Sequence, residues 1–205
     1  SGLNPKAYSY AHASGIWQFI KSTGKVYGLK QNWWVDERRD LTKATHAASS
    51  YLKDLYDEFD DWYLAFAAYN CGSSRVEKAI KRHGSRNYWD LHTLPSQTRS
   101  YVPNIMAAII ISNNPKKYGF KINSEDSFAW IEKQINKSVK LKTIADCANV
   151  DIKEIQKLNP EIKQATIPPL NKNESYTIRL PINITKDFDS LFALIDAPIL
   201  DELIF

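Results

Sequence analysis

The sequence predicts a mainly α protein that ends in a small α+β domain. Helices are expected over residues 1–120, a strand–helix–helix–strand (βααβ) domain over residues 126–182, and an amphipathic tail over residues 183–205. Three observations carry this. Apolar residues recur at three- and four-residue steps through most of the first part. The turn-forming run Asn113-Asn114-Pro115-Lys116-Lys117-Tyr118-Gly119-Phe120 then interrupts that pattern. Beyond it, alternating runs flank two short helical runs. A chain of 205 residues has room for such a pair of domains.

From Ala44 onward, Ala47, Ala48, Tyr51, Leu52, Leu55, Tyr56 and Phe59 mark one amphipathic helix, the expected scaffold, with Thr42 as its cap. Asp61 caps the next run, Trp62 to Tyr69, which is apolar almost all round and expected to be buried; Gly72 punctuates its end. A third helix places Val76, Ala79 and Ile80 inward and Arg75, Lys78, Lys81 and Arg82 outward. A helix from Gln97 to Ser112 carries the apolar run Ile105 to Ile111, with Pro103 in its first turns or kinking it. In the second part, Phe128 to Ile135 alternates, Leu141 to Ala148 and Ile152 to Leu158 have helical spacing, and Tyr176, Ile178 and Leu180 alternate before Pro181. In the tail, Phe188, Leu191, Phe192, Leu194 and Ile195 form an amphipathic helix that docks on a partner or on the body of the protein, with Pro198 ending it.

Charge and composition narrow the function classes. Residues 1–120 hold 16 Lys and Arg against 10 Asp and Glu, net +6, whereas residues 121–205 carry net −2. The basic first part favours an anionic polymer such as a cell wall, and no basic cluster is dense enough to make nucleic acid the leading partner. Trp and Tyr concentrate in the first 120 residues, which suits a sugar-stacking groove or a dense helical core; core packing is expected for most of the rings. Cys71 and Cys147 lie in different parts and form no framework of staples, and neither has a nearby His pair for a metal. No apolar run reaches the ~18 residues a spanning helix needs.

Four motifs carry a resemblance over residues 1 to about 120. They are Ser1-Gly2-Leu3-Asn4-Pro5-Lys6-Ala7 with Ser9; Gly15-Ile16-Trp17-Gln18-Phe19; Ala68-Tyr69-Asn70; and Tyr101 within Thr98-Arg99-Ser100-Tyr101-Val102-Pro103. In this order, with Trp33-Trp34-Val35-Asp36-Glu37-Arg38-Arg39-Asp40 between the second and third, they resemble the lytic transglycosylases, peptidoglycan-cleaving relatives of goose-type lysozyme, and closely the membrane-bound D subgroup. The order of elements from Phe128 to Pro181, with Leu158-Asn159-Pro160 closing the second helix, is similar to the LysM module; Asn136-Lys137-Ser138-Val139 stands where its Gly-Asp-Thr turn is usual. A degenerate module that packs without binding glycan is an open alternative. Two further departures are Cys71, where Ala is usual before Gly72, and His12, where Gly is common and a side chain is tolerated only if the backbone needs no positive φ.

The resemblance implies a lysozyme-like helical fold and a cofactor-free, metal-free, non-hydrolytic cleavage. Most glycosidases pair two carboxylates, one to protonate the leaving oxygen and one as nucleophile or base. In the resembled family a single Glu acts as acid and then base, while the C6 hydroxyl of the same muramic acid ring attacks C1. A tethered hydroxyl has a high effective concentration, so a second carboxylate can be dispensed with. That Glu must be protonated near neutral pH, which an apolar or hydrogen-bonded pocket achieves. The family pattern places it immediately before Ser1, so no catalytic residue is expected within the chain, which is expected to bind and not cut. Apolar partners of the upstream helix are expected exposed on the Trp62–Tyr69 run. The same pattern assigns Ser1, Ser9, Gln18, Tyr69, Asn70 and Tyr101 to substrate binding.

For Ser9 taken alone, a helix cap is the simpler role, and for Tyr101 a packing wedge. The acidic group Asp36, Glu37 and Asp40 is interleaved with Arg38 and Arg39 and reads as a pinning network, because ion-paired carboxylates make poor acids at neutral pH. Two functions from different classes follow: an enzyme that cleaves the MurNAc–GlcNAc bond, or a non-catalytic peptidoglycan-binding scaffold. Either implies a bacterial cell-envelope location with glycan strands as partner, no stable oligomer, and a membrane anchor as an option upstream.

Overall fold

The computed structural model describes residues 1–121 and 129–196. Phe128 and the tail residues from Pro198 onward lie outside the described residues. The described chain forms two compact units, residues 1–47 together with 129–196, and residues 48–121. Among the described residues no helix is long and apolar enough to cross a membrane.

In the first unit the opening segment runs through tight turns into helix α1 (Lys21–Val26) and a 3-10 turn at Glu37–Arg39. Helix α2 (Leu41–Phe59) begins here and continues into the second unit. Its cap is Asp40, not Thr42. The Asp40 Oδ1 accepts from the Lys43 N–H at 2.8 Å, and the Asp40 carbonyl accepts from Ala44 N–H at 2.9 Å. Asp satisfies the free amides of a first turn better than Thr, and Thr42 is an exposed residue inside the helix.

The second unit is built on α3 (Trp62–Cys71), which packs against α4 (Ser73–His83) and α5 (Ser96–Asn113). Asp61 caps α3 by accepting from the Leu64 N–H at 2.9 Å, and Gly72 ends it at φ 88°, where a side chain would be strained. Leu64, Ala65, Ala67 and Ala68 have no exposure at all, whereas Trp62 at the start of the helix is 49% exposed and packs on the half-buried Phe66, so part of the apolar surface expected to be open on this run is open. Exposed apolar residues also occur on α5, at Ile109 and Ile110. Pro103 lies inside α5, and the helix continues past it without the rung that a proline cannot donate. Most rings are not fully buried either. Tyr51, Tyr56, Tyr63, Phe66, Tyr69 and Tyr101 pack at the core margin, whereas Phe59 and Tyr88 are within it.

The first unit also holds the expected βααβ order: β1 (Trp130–Ile135), α6 (Leu141–Ala148), α7 (Ile152–Leu158) and β2 (Tyr176–Pro181). The strands pair antiparallel, Trp130 opposite Pro181 and Ile135 opposite Tyr176. Ile135, Leu141, Ile144, Ile155, Ile178 and Leu180 are fully buried between the strands and helices. Asn159 explains the Leu-Asn-Pro sequence. Buried after α7, it accepts from Arg179 N–H at 2.9 Å and donates to the Arg179 carbonyl at 2.7 Å, pairing with β2 as a further strand would.

The tail docks on the body of its own chain. Helix α8 (Phe188–Ala193) inserts Phe188 and Phe192 into the same core. Lys137 Nζ donates to the Ala193 carbonyl at 3.1 Å and to Ile195 at 2.6 Å, where the helix C-terminus favours a cation. Ser138 Oγ donates to Pro168 O at 2.8 Å. Two residues of the unusual Asn136–Val139 turn are thus engaged in packing the module itself. Phe188→Ala should therefore lower stability by roughly 3–5 kcal/mol, the usual cost of emptying an aromatic site in a core. Chemical denaturation checks this; a loss under ~1 kcal/mol would mean that α8 does not belong to the core.

Candidate active site

The sequence-derived site residues fall into two groups, one in each unit. In the first unit, the opening segment doubles back on itself: Ser14 N–H donates to Phe19 O at 3.0 Å and Gly15 N–H to Ala7 O at 3.0 Å. Gly15 is indispensable to this turn. Its φ is 83°, and a Cβ there would lie 1.8 Å from the Arg38 carbonyl oxygen. Gln18 is also left-handed (φ 53°), and its Nε2 donates to Gly15 O at 2.7 Å, so the amide nitrogen braces the turn. Ser9 Oγ accepts from Ala13 N–H at 3.1 Å; it caps a tight loop, not a helix. Ser1 Oγ donates to Ile16 O at 2.8 Å, tying the start of the segment to the Gly15–Phe19 turn. His12 has φ 60°, so the chain carries a side chain at a positive φ here, contrary to the sequence expectation, and its exposed ring is hydrogen-bonded to Tyr8 Oη through Nδ1 at 2.8 Å.

The acidic group is the pinning network. Arg38 is 5% exposed; its guanidinium meets Asp36 through Nε at 3.0 Å and Nη2 at 2.8 Å, and Nη1 donates to the His12 and Phe19 carbonyls at 2.8 and 3.0 Å. One side chain thereby clamps both ends of the loop. Arg39 Nε donates to the buried Ser14 Oγ at 3.2 Å. Glu37 accepts from Lys30 N–H at 2.7 Å and pairs with Lys43 at 2.5 Å. Asp40 receives both contacts of Arg179 Nη2, at 3.0 and 2.8 Å, from the middle of β2. Each of these carboxylates is committed to a cation, an arrangement suited to structure and not to proton delivery.

Sequence reasoning missed Arg179 and Glu161. The alternation of β2 turns Arg179 away from Ile178 and Leu180, hence toward solvent, yet it is 9% exposed because residues 34–40 cover that face. The only available signal was Asp40, an acid without an assigned partner. Glu161 is 2% exposed, with Oε1 3.6 Å from Arg179 Nη1 and Oε2 buried without a hydrogen bond. Burial, and next to it the negative charge of Asp40, push its carboxyl up to about 7. Beside the opening loop, a cleft of about 480 Å³ lined by Tyr8, Lys21, Gln31, Asn32, Arg39 and Lys163 carries a cationic rim.

In the second unit, Tyr69 and Asn70 sit on α3 and Tyr101 on α5. The Tyr69 ring packs on Tyr51 with centroids 5.1 Å apart. Burial raises the Tyr69 hydroxyl well above its ordinary pKa, with neighbouring Tyr101 and then Tyr51 adding to the shift; burial likewise raises Tyr101 and, with Glu58 and Cys71 next, Tyr51. These phenols stay neutral and keep their protons as hydrogen-bond donors through the physiological range. Asn70 Oδ1 accepts from Thr98 Oγ1 at 2.7 Å, and Thr98 is fully buried. Cys71, partly buried, has its thiol pKa raised by that burial, which a hydrogen bond with Thr98 partly offsets; it is not a primed nucleophile.

Two expectations follow. Gly15→Ala should cost about 3 kcal/mol or more, because the new methyl meets backbone and the φ is forbidden to it; thermal melts check this, and a near-neutral variant would contradict the turn geometry. Because the folded state raises the Glu161 pKa from 4.5 to about 7, it binds a proton there that the unfolded chain releases. This contribution to stability is fully present below pH ~4.5 and is lost as pH rises through about 7. Comparing denaturation of wild type and Glu161→Gln from pH 5 to 8 isolates it: the variant should show the flatter profile, and parallel profiles would remove Glu161 from the linkage.

Comparison with known proteins places these segments. Residues 1–92 match the Transglycosylase SLT domain, and residues 132–197 match the LysM-like domain of lytic transglycosylase MltD. The membrane-bound lytic murein transglycosylase D of Escherichia coli K12 is 39% identical over 173 residues, covering 82% of this chain and 38% of that protein. The protein of the same name from E. coli O6:H1 matches to the same extent. The chain thus spans well under half the length of the curated relatives it matches. It carries an SLT transglycosylase domain followed by an MltD-type LysM-like domain.

Proposed function

We propose that the protein to which this chain belongs is a bacterial peptidoglycan lytic transglycosylase. It cleaves the MurNAc–GlcNAc β-1,4 bond without water and leaves 1,6-anhydro-MurNAc ends. The observation that carries the reading is the hydrogen bond from Ser1 Oγ to Ile16 O: a Glu immediately upstream of Ser1 would start beside the turn that carries Gln18. Protonated, that Glu delivers its proton to the departing O4; as carboxylate, it then takes the proton of the C6 hydroxyl closing on C1. No second carboxylate is required, in keeping with the commitment of Asp36, Glu37 and Asp40 to ion pairs.

Ser1, Ser9 and Gln18 in the first unit, and Tyr69, Asn70 and Tyr101 in the second, are the residues we assign to the glycan. The neutral phenols of Tyr69 and Tyr101 offer hydrogen-bond donors to a glycan without adding charge. The cationic rim of Lys21, Arg39 and Lys163 suits carboxylates of the peptide stems. Residues 1–120 form the catalytic domain in this reading, residues 126–182 the LysM-like module and residues 183–205 its tail. It functions as a monomer in the cell envelope, with any membrane anchor upstream.

Incubating residues 1–205, and a version extended upstream through the preceding helix, with purified peptidoglycan tests this by mass analysis of released muropeptides. Anhydro-muropeptides from the extended form alone are expected, with Tyr101→Phe reducing turnover by about tenfold or more. Hydrolysed, reducing-end products would contradict the mechanism. No product from either form, with wall binding intact, would leave a peptidoglycan-binding scaffold.

A further inference from the structure

The LysM-like segment holds the opening loop through two buried contacts at either end of one short turn. At one end, Asp36 N–H donates to the Glu161 carbonyl at 2.9 Å. At the other, Asp40 takes the Nη2 of Arg179 in both carboxylate oxygens. Between them stands Arg38, whose side chain clamps the His12 and Phe19 carbonyls and whose own carbonyl fills the space below Gly15. A displacement of the 36–40 turn therefore moves both ends of the 12–19 loop together. The contact is reinforced by Lys163 N–H donating to Trp34 O at 2.8 Å, and by the Gln164 side chain donating to Trp33 O at 3.0 Å.

We propose that Arg179 is a positioning residue for the glycan-binding loop 12–19, acting through Asp40 and Arg38, so that the LysM-like module serves as the scaffold of the catalytic segment. Arg179 touches no residue assigned to substrate. Its guanidinium is suited to the role because a planar, bidentate pair fixes direction as well as distance, which a lysine ammonium does not. The functional consequence rests on the reading of residues 12–19 as a glycan-binding loop; the mechanical coupling does not.

Hydrogen exchange on the 205-residue chain tests the coupling directly. In Arg179→Met, the amides of Ser14, bonded to Phe19 O within the loop, and of Gly15, bonded to Ala7 O, should exchange at least about tenfold faster, while the amides of α6 stay protected. Arg179→Lys should fall between the two. Asp40→Asn keeps the helix-capping oxygen and weakens only the pair, so it supplies the same test if Arg179→Met fails to fold, with a smaller acceleration expected. Unchanged loop exchange in a folded variant, or acceleration confined to β2, would overturn the proposal. In the full-length protein, Arg179→Met should raise KM more than it lowers kcat, as a displaced binding loop would. If wild-type full-length protein makes no product, the transglycosylase reading fails while the exchange result still decides the coupling.

Discussion

A single buried guanidinium organises the first unit. Arg179 reaches from β2 to both oxygens of Asp40 and stands 3.6 Å from Glu161, and the backbone around all three is threaded with hydrogen bonds. Burying such a set is costly, since each ion gives up several kcal/mol of hydration before attraction returns any of it. Well-packed apolar residues would serve stability as well. What the ionic arrangement adds is direction: a bidentate pair has one good geometry, and here that geometry fixes where α2 begins and where the 36–40 turn lies. Glu161 shows the strain of the arrangement. Two carboxylates face one guanidinium, and burial leaves Glu161 protonated up to about pH 7.

From that point the rest of the opening segment follows by short steps. The turn places Arg38, Arg38 clamps His12 and Phe19, and its carbonyl leaves room only for glycine at position 15. The turn that results is what the Gly15-Ile16-Trp17-Gln18-Phe19 motif encodes, with Gln18 bracing it from within. The second unit reaches its site by other means: small residues of α3 allow close packing of its neighbours, and the tyrosines collect at the margin of that core, desolvated enough to remain neutral donors.

The helices and strands were legible because periodicity and capping are local. Asp61, Gly72 and the alternation of Tyr176, Ile178 and Leu180 each mark their element from within a few residues. The placement of Thr42 as a cap failed because Asp40, two residues upstream, is also a capping residue and its Oδ1 takes the Lys43 amide. Separation in sequence hid the role of Arg179, since strand alternation reads its side as solvent unless the covering loop is known. The family's motif residues were legible by resemblance, but the bonds that hold Ser9 and Gln18 were not, because both act on backbone atoms that no side-chain pattern reports.

The Asp40–Arg179 pair, bidentate and buried, acts as an energetic unit and not as an incidental contact. A double-mutant cycle on stability with Asp40→Asn and Arg179→Met measures it directly, because the cycle cancels what each side chain does alone. A coupling of about 2 kcal/mol or more is expected, in the range of buried, hydrogen-bonded pairs. A coupling under ~0.5 kcal/mol, the value of an exposed surface pair, would contradict it.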